Sequence, residues 1–145
     1  MWAQCAGPGG GPHVRVLRLN GQELASFFAY STSCNLGVSV GAGMINGKGH
    51  IVTTSACYPR ERQPDIKVFA YPIRIVAEAF STACAVQAYT ATIVANKIAL
   101  ANKTIHDNGS ESSTDRIEVY GPKLVGPAAM IPQWGSDHGQ MGIGR

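Results

Sequence analysis

Catalysis by a serine, threonine or cysteine needs a base within hydrogen-bond reach of the nucleophile, so the four histidines of this chain are weighed first. His13 follows a glycine- and proline-rich stretch, His106 and His138 lie in polar segments, and each reads as a solvated side chain. His50 lies on the same strand face as Ala56 but too far along the chain to act at that position. His106 and Asp107 do not form a base with its orienting acid, because adjacent residues in an extended segment point to opposite faces. Cys57 could act as a thiol nucleophile only beside a base or a positive charge, and no such partner stands at a recognisable spacing. Cys5, Cys34, Cys57 and Cys84 show no C-x-x-C spacing and no neighbouring histidine, so no metal and no cofactor are expected.

Charged residues make up 14% of the chain, against about 25% in an ordinary domain, so Ser, Thr, Asn and Gly must carry much of its surface. The net charge of +3 is dispersed, and the one local run, Arg60-Glu61-Arg62, is interrupted by an acid. That pattern does not argue for nucleic acid. Arg15 and Arg18 on one short segment, with Lys48 and Lys67 elsewhere, are the material for a polyanion patch, but the plain reading is solvated surface charge. No apolar run is long enough to span a bilayer. Residues 1–12 lack the basic and continuous apolar regions of a signal peptide and read as a flexible Gly/Pro-rich arm. Asn102-Lys-Thr and Asn108-Gly-Ser are N-glycosylation sequons, which suit an extracellular chain.

Period-2 alternation marks His13 to Leu19 as a strand ending in an Asn20-Gly21 turn. Leu24 to Tyr30 reads as strand or loop. Leu36 to Ile45 and His50 to Thr54 read as two strands joined by a hairpin at Asn46-Gly47, a dipeptide suited to two consecutive positive φ angles. Ile66 to Tyr71 is a further strand, and Ile73 to Phe80 fits a strand or a short helix, since Ala and Glu favour the latter. Residues 84–101 hold enough alanine for a helix and enough Val, Ile, Thr and Tyr for strands. Arg116 to Tyr120 alternates as a strand, and residues 122–144 are extended and punctuated by Gly and Pro.

Four segments in order resemble the first half of the chymotrypsin-like serine proteases. Gly43 to Asn46, a tight turn and Thr53-Thr54-Ser55-Ala56-Cys57 resemble the hairpin leading to that family's T-A-A-H-C base motif. Asn96 to Lys103 resembles the segment that carries the orienting aspartate. Val125 to Pro132 resembles the exit from the first barrel, and Gly139 to Gly144 the opening of the second. The resemblance puts Ala56 in place of the base and Lys97 in place of the acid, and neither can play that role. Gly135-Ser136-Asp137 is not the family's G-D-S-G-G nucleophile loop, so catalytic residues: none.

The resemblance implies an all-β fold, a six-stranded antiparallel Greek-key barrel over residues 13–134, with 135–145 a tail matching the start of a missing second barrel. It resolves residues 84–101 in favour of strands. The family's usual bridge from Cys57 cannot form, because its partner position falls on Gly41 or Ala42; Cys34 could replace that partner if the strand register allows, and four reduced and buried thiols are the other reading. The function it implies is that of a secreted, non-catalytic protease homologue acting as a binding or regulatory protein. A lone half-barrel would expose an apolar face for a protein partner or self-association to cover. The alternative is a structural or assembly subunit of a β-rich shell or filament.

Overall fold

In the computed structural model the described residues form twelve strands, all paired antiparallel, and no helix. The structure describes residues 1–5, 9–35, 37–55, 65–79, 87–105, 111–112, 116–124 and 127–132. β1 (Trp2–Cys5), β2 (His13–Leu17) and β3 (Glu23–Phe28) make a three-stranded sheet. β4 (Val38–Ile45), β5 (Lys48–Ser55), β6 (Ile66–Ala70) and β7 (Arg74–Ala79) make a four-stranded one in chain order. In the third sheet β8 (Gln87–Val94) pairs with one edge of β9 (Lys97–Ile105). β10 (Glu111–Ser112) and β11 (Arg116–Tyr120) share the other edge of β9, and β12 (Pro127–Pro132) pairs outside β11.

The fold is thus all-β, as expected, but no sheet of the described strands closes on itself, so the six-stranded Greek-key barrel is not seen. The strands stack instead as layers. Val14, Val16, Tyr30, Val38, Ile51 and Phe69 form one core between the three- and four-stranded sheets. Val52, Val68, Ile93, Ile98 and Leu100 form the other, between the four- and five-stranded sheets. Alternate residues of β5 and β6 enter opposite cores, which is why the run Ile51 to Phe69 is buried at every described position.

Two glycines decide how closely the second pair of sheets can approach. A Cβ on Gly41 would run into the carbonyl oxygen of Ala91 and stand 2.8 Å from Thr92 Cα. One on Gly43 would stand 2.7 Å from Ile93 Cβ and 2.9 Å from its carbonyl oxygen. The backbone of β8 therefore lies directly on the face of β4, an approach that only a residue without a side chain permits.

Local chemistry explains the turns. Asn46 and Gly47 both have positive φ, 50° and 74°, as a two-residue type I′ hairpin needs. Ala95 and Asn96, at 49° and 62°, repeat the geometry between β8 and β9. This second hairpin settles the helix-or-strand ambiguity of residues 87–101 as two strands. β7 is a strand despite its Ala and Glu because Ala77 and Ala79, opposite Val68 and Ile66, pack on the core. Part of the expected flexible arm is also structured, since Trp2–Cys5 pairs with Val14–Leu17. Ala3 and Cys5 turn inward to the first core, and that burial gives the short strand a reason to form.

Candidate functional site

Register fixes which residues share an end of the stack. Asn96 Oδ1 accepts a hydrogen bond from the Asn46 amide at 2.8 Å, so the β4–β5 and β8–β9 turns lie side by side. Tyr71 donates its amide to the Gly49 carbonyl at 3.0 Å, which brings the β6–β7 turn to the same end. Met1 Cε lies over Gly49, and the Trp2 indole donates to the Arg18 carbonyl at 3.1 Å, adding the β2–β3 turn. Tyr120 lies opposite Ile98, so the turn that follows β11 falls there too. We call this the hairpin end.

At the opposite end Cys5 donates its thiol to the Val38 carbonyl at 2.7 Å. Burial raises the Cys5 pKa, so it stays a thiol at neutral pH. Near it lies a buried polar cluster. The Tyr30 hydroxyl donates to the Asp65 carbonyl at 2.8 Å and shares a hydrogen bond with Thr53 Oγ1 at 3.0 Å. The Lys67 ammonium stands 4.9 Å over the Tyr30 ring and 3.7 Å from Glu78. Desolvation, and to a smaller degree the charges of Asp65 and Glu78, drive the Tyr30 pKa far above its ordinary value, so it acts as a neutral strut. Cys34 is disulfide-bonded, to a partner outside the described residues, and its sulfur lies 3.2 Å from Ser55 Oγ.

The residues singled out from the sequence divide between these ends. Lys97 is exposed and opens β9 at the hairpin end. Ala56 and Cys57 lie outside the described residues; Ser55, to which Ala56 is joined, closes β5 at the polar-cluster end. The length of β5, roughly 23 Å at about 3.3 Å per residue, thus lies between Ser55 and the turn that Asn96 touches. His50 bonds the Lys48 carbonyl through Nδ1 at 2.9 Å, and His13 meets Ser26 Oγ at 2.6 Å. Asn102 lies within β9 opposite Tyr89, whereas Asn108, His106, His138 and Cys84 fall outside the described residues. Among the described residues no three His, Cys, Asp or Glu side chains are grouped to hold a metal, and no helix is long and apolar enough to cross a membrane.

What the sequence did not reveal is the composition of the hairpin end. Among the described residues, six of the nine exposed large apolar side chains belong to it, namely Met1, Trp2, Leu19, Met44, Tyr71 and Val94. Leu19 is 89% exposed and Val94 61%. The exposed cations Arg18, Lys48, Arg74, Lys97 and Lys123 stand among them. These residues come from the start of β1 and from five turns with their flanking strand ends, of which the sequence marked those at Asn20-Gly21 and Asn46-Gly47. No known protein family, curated protein or solved structure matches the chain.

Proposed function

We propose that this chain is a non-catalytic protein that works by contact, as a binding or assembly protein whose working surface is the hairpin end. The observation that carries the reading is the gathering at one end, on turns and the strand ends beside them, of six of the nine exposed large apolar side chains among the described residues. Scattered single apolar residues are ordinary on a surface, but a cluster formed by separate turns marks an interaction site. The paired variant Leu19→Ser with Val94→Ser tests this, because both side chains are exposed and their loss leaves the cores intact. It should alter association with itself or with a partner, read by light scattering and binding assays. Unchanged association together with turnover in a broad substrate screen would overturn the reading.

A second reading keeps the contact role and adds descent from the chymotrypsin-like proteases as an inactive, secreted fragment. It is favoured by the Asn46-Gly47 hairpin leading into Thr53 to Ser55, and by a disulfide-bonded Cys34 beside Ser55. The strand-long interval between Ser55 and the turn before Lys97 favours the assembly form of the proposal instead. Restoring Ala56→His and Lys97→Asp should yield no peptide hydrolysis in either case, and hydrolysis by that double variant would refute both.

A further inference from the structure

The geometry points to an anionic phospholipid surface as the partner of the hairpin end, an inference that rests on the contact reading above. Of the cations there, Arg18 and Lys123 lie on turns and Lys48, Arg74 and Lys97 each open a strand, and none shares an ion pair with another described residue. Among the described residues the exposed carboxylate at this end is Glu23, and Arg15 engages it at 2.7 Å. Glu118 lies near this end too but is buried, accepting a hydrogen bond from the Tyr120 hydroxyl at 2.7 Å, while Asp65 and Glu78 belong to the polar cluster and Glu111 lies opposite Ile105 at the far end of β9. Among the described residues the exposed charges at this end are therefore mainly cationic, although the chain as a whole carries only +3.

The apolar residues decide between anionic partners. Phosphate or sulfate groups on a polymer would engage the lysines and arginines but would give Leu19, Met44 and Val94 nothing to bury against. A bilayer interface takes both kinds at once. Aliphatic tips enter the acyl boundary, while cations meet the headgroup charge and the long side chains bend toward it. Trp2 and Tyr71, each with an apolar ring and a polar atom, are the side-chain types that settle at that depth. The tight turns at Asn46-Gly47 and Ala95-Asn96, bonded to one another, hold two of these tips side by side without further ordering.

Co-sedimentation with vesicles tests the inference. The chain should pellet with phosphatidylcholine vesicles containing about a third phosphatidylserine and remain in solution with phosphatidylcholine alone. Each cation near such a surface is worth roughly fivefold in partitioning, so Lys97→Glu with Lys123→Glu should weaken binding by about 25-fold or more. Leu19→Ser with Val94→Ser should weaken it as well, whereas Phe28→Ser, an exposed change at the other end, should not. The inference is overturned by a wild-type chain that stays in the supernatant, by equal binding to neutral vesicles, by equal loss with Phe28→Ser, or by binding to polyphosphate without binding to vesicles. If vesicle binding fails while the Leu19 and Val94 changes still alter association, only the membrane is wrong as partner; if neither responds, the contact reading falls too.

Discussion

Gly41→Ala adds one methyl group to a β4 face already covered by β8, and its effect can be worked out from the geometry. The new carbon would overlap the Ala91 carbonyl oxygen and stand 2.8 Å from Thr92 Cα and 3.0 Å from the Ala91 carbonyl carbon. Ordinary van der Waals contact begins near 3.4 Å, and all three obstacles are backbone, so no rotamer change relieves them. The β8 strand must move away, opening the contact that packs Ala91 and Ile93 into the second core. Overpacking of this kind costs typically about 1–3 kcal/mol, and the backbone on the other side places this case at the upper end. With a urea dependence of about 2 kcal/mol per molar, the unfolding midpoint should fall by about 1 M or more. The control is Gly121→Ala, where a Cβ meets nothing within 4 Å and φ is not positive. It should leave the midpoint unchanged or raise it slightly by restricting the unfolded chain. Urea melts of both variants under non-reducing conditions, followed by tryptophan fluorescence, read the difference. A Gly41→Ala midpoint equal to that of Gly121→Ala would refute the close approach of β8 to β4 and the layered arrangement built on it.

Tyr30→Phe should cost about 1–3 kcal/mol at neutral pH by leaving the buried Thr53 hydroxyl and Asp65 carbonyl without this partner. Because burial raises the Tyr30 pKa, its contribution is fully present below the ordinary tyrosine pKa of about 10 and is lost above it, as the unfolded chain ionises first. The wild type should therefore lose stability on the alkaline side more steeply than Tyr30→Phe, and parallel pH profiles in thermal melts would refute the assignment. Asn96→Ala should destabilise by about 1–2 kcal/mol, since it removes the acceptor for the Asn46 amide and keeps a side chain at positive φ. Ala95→Gly should have the opposite sign, and chemical denaturation of the two reads the pair. For the disulfide, non-reducing peptide mapping should recover Cys34 joined to Cys57, two residues past Ser55, and reduction should lower stability by about 3 kcal/mol; a Cys34–Cys84 peptide would refute that pairing.

The sequence by itself determined the local geometry. Alternating apolar residues placed β2 and β11 within a few residues of their ends, and Asn46-Gly47 announced the turn before β5 because few other dipeptides accept two positive φ angles. Where local preference was divided, tertiary contacts decided: Ala77 and Ala79 make β7 a strand by packing on a core supplied by other strands. Neither the layered stack nor the meaning of Gly41 could be read from the chain, because a glycine looks the same whether it loosens a strand or admits a neighbouring backbone. The same holds for the surface. Lys48, Arg74, Lys97 and Lys123 are dispersed along the chain, and so are Leu19, Met44, Tyr71 and Val94. They meet at one end only because every second turn between antiparallel strands returns to the same side, and the alignment of the three sheets brings those sides together. Strand and turn are set by residues a few positions apart, while a surface assembled from five turns exists only once the sheets have stacked.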